Sequence, residues 1–194
     1  HVIAQAQRED GYLHTPVIIE QKADRQNAQE IRNQLHFETY NIGHLMTAGS
    51  VHYRATGKSS LLDVAVKAAD YLIQVCKRSP KELASITICP SHYMGIMDIY
   101  RITNDSRYLE LANTLIDIRA LTENGTDQNQ DRIPFRDQTA AVGHAVRANY
   151  LYAGIADVYM ESGDKSLFSA LESIWHDVTF RKMYITGATG ALYD

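Results

Sequence analysis

Apolar positions recur along this chain with the period of a helix. Leu61, Leu62, Val64, Ala65, Ala68, Ala69, Leu72 and Ile73 share one broad face. Leu167, Phe168, Ala170, Leu171, Ile174 and Trp175 repeat that face near the other end. Long alternating runs of β-branched residues, the mark of half-buried strands, do not occur in the sequence. The pattern therefore predicts an all-α chain.

The helical pattern is itself repeated. "GHLMTAGSVHYRATGKSSLLDVAVKAADYL", "HYMGIMDIYRITNDSRYLELANTLIDI" and "HAVRANYLYAGIADVYMESGDKSLFSALESIWHDV" share one layout. In each, a tyrosine (Tyr53, Tyr100, Tyr159) precedes a short polar turn, and a large apolar residue (Leu62, Leu109, Phe168) follows it nine positions on. Gly57, Asn104 and Gly163 suit the left-handed position that closes a helix. Ser59, Asp105 or Ser106, and Asp164 suit the N-cap of the next helix. Each unit reads as helix, turn, helix, over residues of about 36–75, 90–118 and 140–179.

The tyrosines lie 47 and 59 residues apart, a longer period than the ~34 of tetratricopeptide or the ~40–47 of HEAT units. Stacked hairpins make either an open solenoid or a closed ring. The period favours a ring, and three hairpins are about half of a six-hairpin toroid. The expected fold is thus antiparallel helix hairpins forming part of an (α/α)6 toroid. In such a ring the N-termini of the inner helices share one rim with the loops 76–89 and 119–138. The second loop is long and polar, the profile of a site-forming segment.

Composition narrows the function. The 194 residues are enough for one medium domain with its own core. A net charge of −4 and no basic run argue against nucleic acid or an anionic membrane as the main partner. No apolar stretch reaches the ~20 residues that a transmembrane helix needs. The two cysteines, Cys76 and Cys89, form neither a disulfide framework nor a zinc motif and read as ordinary thiols. The opening "HVIAQAQREDGYL" reads as the end of a helix running into a turn, so a preceding segment is expected.

Histidines gather where the first helix of each unit begins. His36 and His44 stand at the first, Cys89-Pro90-Ser91-His92 at the second and Gly143-His144 at the third. Pro90 suits the first helical position. A lone histidine is most often a satisfied structural residue, but recurrence at equivalent positions raises a binding role for His92 and His144. Metal binding is the weaker reading, because neither HExxH nor a zinc-spaced Cys/His cluster is present. Neutral ring nitrogens at helix N-termini suit a polyhydroxylated ligand. The candidate substrate-binding residues are His144, His92, His36 and Glu38. His14 has weaker support. Arg147 is expected in a structural ion pair, and His52 and His176 read as incidental.

The stretches "DGYLHT", "FETYNIGHLMTAGSVHYRATGK", "DQTAAVGHAVRANYLYAGIADV" and "MYITGATG" resemble glycoside hydrolase family 127, the β-L-arabinofuranosidases, over nearly the whole chain. The resemblance implies an (α/α)6 catalytic barrel, followed by β-rich domains, in a bacterial enzyme of the periplasm or cytoplasm. It implies retaining hydrolysis of β-L-arabinofuranosides or a related furanoside of plant polysaccharide, including pectin. A zinc-bound cysteine would be the nucleophile and a glutamate the acid/base.

In the family those residues follow the Tyr-Ile-Thr-Gly stretch, whereas this chain ends at Asp194. The catalytic residues and zinc ligands are therefore expected C-terminal to it, and the segment alone is expected to be inactive. His144 in "GHAVR" matches a sugar-contacting position. In "HFETY" an inserted residue displaces His36 and puts Phe37 at the family's histidine position. The family's His-Pro appears as Cys89-Pro90. These departures point toward a different furanoside, such as an acidic or branched sugar. Two alternatives stand beside this reading. One is another α/α-toroid enzyme, such as an unsaturated glucuronyl hydrolase, for which Asp137 is the only candidate pocket aspartate. The other is a non-enzymatic helical repeat scaffold.

Overall fold

The computed structural model describes residues 2–25 and 28–190, and it is all-helical within them. Three long hairpins dominate. They pair α3 (Glu38–Thr56) with α4 (Ser60–Arg78), α6 (His92–Thr103) with α7 (Ser106–Ile118), and α8 (Ala145–Ser162) with α9 (Lys165–Asp177). The short helices α1 (Val2–Ala6) and α2 (Thr15–Lys22) precede them, and α5 (Pro80–Ile86) joins the first two hairpins.

The repeated tyrosine-and-turn signature has a backbone cause. Gly57, Asn104 and Gly163 adopt left-handed φ values of 70°, 54° and 66°. Their N–H groups donate to the carbonyls of Tyr53, Tyr100 and Tyr159 at 2.8, 2.7 and 2.8 Å. Each inner helix thus closes with a single bond reaching back one turn. The next helix begins at once. Asp105 accepts the Arg107 N–H at 3.0 Å and Asp164 accepts the Ser166 N–H at 2.8 Å. Ser59 departs from this pattern: its hydroxyl donates to the Asp63 carboxylate instead of capping α4 through its side chain.

Asp164 has a second task. Its carboxylate pairs with Arg136 and so ties the segment before α8 to the start of α9. The Ser166 hydroxyl, and then Arg136, hold the Asp164 carboxyl down at about 2. A carboxylate depressed on folding contributes stability above its unfolded pKa, near 4. That contribution fades as pH falls from about 4 to 2. Asp164→Ala is expected to cost about 1 kcal/mol at neutral pH. The gap from the parent should narrow in thermal melts below about pH 4.

The inner helices α3, α6 and α8 stand side by side, with α4, α7 and α9 behind them. Glycines set the spacing. A Cβ on Gly43 would run into the Ser91 hydroxyl and the His92 backbone, and one on Gly95 would meet the Gly43 carbonyl. A Cβ on Gly154 would strike that of Tyr93. Met46, Ile96, Met97, Leu151 and Ile155 fill the shared core without exposed surface. This row of hairpins matches part of an α/α toroid.

Three local expectations change. The 76–89 connection contains a helix, because Pro80 can start one and Leu83 and Ala84 find buried places. Pro90 lies two residues ahead of α6, which begins at His92. Trp175 and Phe168, on the apolar face of the last helix, are 65% and 43% exposed.

Candidate functional site

The rim is built first at the start of α3. The turn of 3-10 helix Gln34–His36 ends at Phe37, whose φ of 51° is unusual for an aromatic residue. Phe37 donates its N–H to the Gln34 carbonyl, and its own carbonyl accepts the Asn41 N–H, so one residue ends a turn and starts a helix. Phe37 is 37% exposed.

Glu38, next along, is buried. Its carboxylate accepts the Tyr12 hydroxyl at 2.6 Å and the Ile31 N–H at 3.0 Å. His36 is half-buried, with Nδ1 3.8 Å from the same carboxylate. Its ring stacks on His14 at 5.2 Å. Burial lowers the His14 pKa, which favours a neutral ring there.

His92 occupies the first turn of α6 but points into the wall. It is 1% exposed, its ring lies 4.3 Å from that of Tyr93, and neither ring nitrogen has a protein partner. Burial, and then the Arg119 charge, push its pKa down to about 3, so it is neutral at ordinary pH. Arg119 is buried too and donates to the Asn129 carbonyl. The 119–142 loop folds around this point: Asp131 accepts from the Thr126 N–H and the Asn129 amide, each at 2.7 Å. Asp137, the aspartate weighed for a uronide-type site, is exposed.

The same loop presents His144. The Gly143 φ is 72°, and a Cβ there would collide with the Asp127 carbonyl. The His144 N–H donates to the Gln128 carbonyl at 3.2 Å, and its carbonyl accepts the Ala148 N–H at 2.9 Å. His144 is the N-cap residue of α8, but its side chain takes no part in capping. His144 is exposed, and its position is fixed by these two backbone bonds. Residues 183–190 fold back beside α8 through a 3.1 Å bond from the Asn149 amide to the Thr189 hydroxyl. A cleft of about 590 Å³ lies between them, with Gly143, Ala145, Asn149 and Tyr152 in its wall.

Between α3 and α8 the structure gathers side chains that the sequence reading did not join. Tyr40 and His44 lie one turn apart on α3 with ring centroids 4.4 Å apart. Tyr150 of α8 reaches over to them, 6.0 Å from Tyr40 and 5.8 Å from His44. The i, i+4 aromatic pair was a visible signal, but its partner across the row was not.

Among the described residues, no three His, Cys, Asp or Glu side chains come together as a metal site. Cys76 is buried, with its thiol pKa raised by that burial, and Cys89 is half-buried at the rim. These residues do not fit the zinc centre that the resemblance implies. No described helix is long and apolar enough to cross a membrane.

Three helix hairpins packed side by side, with polar side chains at the starts of the inner helices, form part of an α/α toroid. Residues 1–194 match the family model described as β-L-arabinofuranosidase, GH127 catalytic domain. The chain belongs to that family, glycoside hydrolase family 127. It is 33% identical, over 99% of its length, to the non-reducing end β-L-arabinofuranosidase of Bifidobacterium longum subsp. longum, of which it covers 32%. A solved GH127 β-L-arabinofuranosidase from Geobacillus stearothermophilus T6 superposes with a TM-score of 0.83 at 33% identity, over 97% of this chain and 32% of that one. A solved glycoside hydrolase shares 59% identity at a TM-score of 0.83, over 98% of this chain and 29% of its own. The chain spans about a third of the length of these relatives.

Proposed function

We propose that this chain forms a substrate-binding wall of a longer retaining glycoside hydrolase that releases β-L-arabinofuranose or a related furanose from plant polysaccharide. Its acid/base, nucleophile and zinc ligands would lie C-terminal to this chain. The observation that carries the reading is the placement of His144, whose ring stands clear of the fold while backbone bonds fix its position. An imidazole so fixed can donate to or accept from a sugar hydroxyl without reorganising.

His36 and His144 are the direct contacts in this proposal. Glu38 and His92, first expected to touch substrate, act from behind: the carboxylate is committed to Tyr12 and Ile31, and His92 lies inside the wall. The expected substrate is a neutral or acidic furanoside. The acidic or branched kind is favoured by Phe37 and Cys89 at positions where the family resemblance leads one to expect histidines.

The test is an assay of the full-length enzyme against a panel of L-furanosides, including acidic and branched members. Release of a furanose with retained anomeric configuration is expected. No turnover of any furanoside would overturn the reading. Residues 1–194 alone are expected to turn over none of the panel.

A further inference from the structure

The corner formed by Tyr40, His44 and Tyr150 has no part in the backbone scaffold of the rim, yet it is built with some care. The rings meet nearly at right angles: 80° between Tyr40 and His44, 75° between Tyr40 and Tyr150, and 89° between His44 and Tyr150. Edge-to-face pairs of this kind hold each other's orientation. Phe37 extends the wall, its ring 6.5 Å from Tyr40 at 70°.

Packing alone does not account for the cluster. α3 and α8 already pack against α6 through Gly43, Gly95 and Gly154. His44 and Phe37 remain exposed, and Tyr40 and Tyr150 are half-buried. Aromatic rings sealing the interface of these helices would be covered by them, whereas these leave part of their surface uncovered by the described residues.

The polar atoms of the corner are also underused. The Tyr150 hydroxyl and His44 Nε2 are 3.5 Å apart, at the limit of hydrogen bonding, so both keep capacity for another partner. Partial burial, and then the Tyr40 hydroxyl, raise the Tyr150 phenol above its ordinary pKa and keep it a protonated donor. A surface with apolar ring faces and hydroxyl or imidazole edges complements a ligand with C–H faces and hydroxyl edges. That description fits a sugar ring. Phe37 adds an independent sign. A bulky residue held at φ 51° is strained, and strain of this kind clusters where a side chain must be aimed at a ligand.

We infer that Tyr40, His44 and Tyr150, extended by Phe37, form an aromatic platform that seats one sugar ring of the glycoside substrate and contributes to its selection. The inference rests on the glycosidase reading above and names a further specificity determinant for it.

The experiment uses the full-length enzyme and its Tyr150→Ala, Tyr150→Phe and His44→Ala variants, each first checked for an unchanged melting temperature. Binding of an arabino-oligosaccharide and of acidic and branched furanosides is measured by calorimetry, and KM and kcat are measured on the same sugars. Tyr150→Ala is expected to weaken binding and raise KM by about 3- to 10-fold with little change in kcat. Tyr150→Phe, which keeps the ring, should stay within about twofold. His44→Ala should fall between them.

Unchanged binding and KM in both Tyr150→Ala and His44→Ala would overturn the platform and leave the glycosidase reading standing. If the parent binds oligosaccharide without cleaving any furanoside, and Tyr150→Ala loses that binding, the platform stands and the hydrolytic reading falls. A parent that binds no sugar overturns both. If Tyr150→Ala fails to fold, His44→Ala decides, because its exposed side chain leaves the core intact.

Discussion

His144→Ala in the full-length enzyme is expected to lower kcat/KM on its furanoside by about 10- to 100-fold, the worth of one or two hydrogen bonds to a sugar hydroxyl. The structure makes this substitution informative. The His144 backbone caps α8 and anchors to Gln128, and alanine keeps both bonds. Its side chain caps nothing, so thermal stability should stay within about 0.5 kcal/mol of the parent. A loss of activity would therefore report on the ligand rather than on the fold. His144→Gln, which can place an amide donor near the former Nε2, should recover part of the loss. Parent-like kinetics in His144→Ala would remove the residue from the site. A fall in kcat with KM unchanged would place its bond in the transition state, and a rise in KM alone would place it equally in ground-state binding.

What could be read from the sequence and what could not divide along a physical line. The hairpins were legible because their signals are local. A left-handed C-cap and an N-cap aspartate act within a few residues, so "YRITNDSRY" carries its whole turn in itself. The position of His144 was legible for the same reason, since a glycine followed by a long helical run marks a helix start. The short α5 escaped notice because seven residues carry too little periodicity to separate a helix from a loop.

The orientation of the rim side chains was not legible. His92 and His144 hold similar places at the starts of their helices, yet one is buried and the other exposed. The difference comes from the 119–142 loop, which brings Arg119 close to His92 and presents Gly143 at the surface. Tyr150 and His44 are 106 residues apart, and only the packing of α3 and α8 against α6 brings them together. Helix periodicity reports which residues share a face, not which faces meet.

Glu38 shows the same limit most sharply and sets the second large effect. From sequence it could be a pocket carboxylate or an ordinary surface residue. In the structure it is 4% exposed and holds two distant groups, the Tyr12 hydroxyl and the Ile31 N–H. Tyr12 has no exposed surface, and Ile31 has a strained φ of 51°, so neither group has a ready alternative partner. Glu38→Ala would leave both unsatisfied. Each orphaned buried donor costs about 1–3 kcal/mol, so a loss of about 3 kcal/mol is expected. The loss should appear as a lower melting temperature and as faster hydrogen exchange at amides 31–40, with little change in α7 or α9.

Glu38→Gln keeps one acceptor oxygen but turns an amide N–H₂ toward a second donor, so about half of the protection should return. Because the same carboxylate lies beside His36 and just after Phe37, Glu38→Ala should also raise KM for the furanoside by loosening the rim. His36→Ala should raise KM with a smaller effect on stability. If Glu38→Ala kept both its exchange protection and its melting temperature while kcat collapsed, the carboxylate would be acting on substrate directly, and the supporting role assigned to it would be wrong.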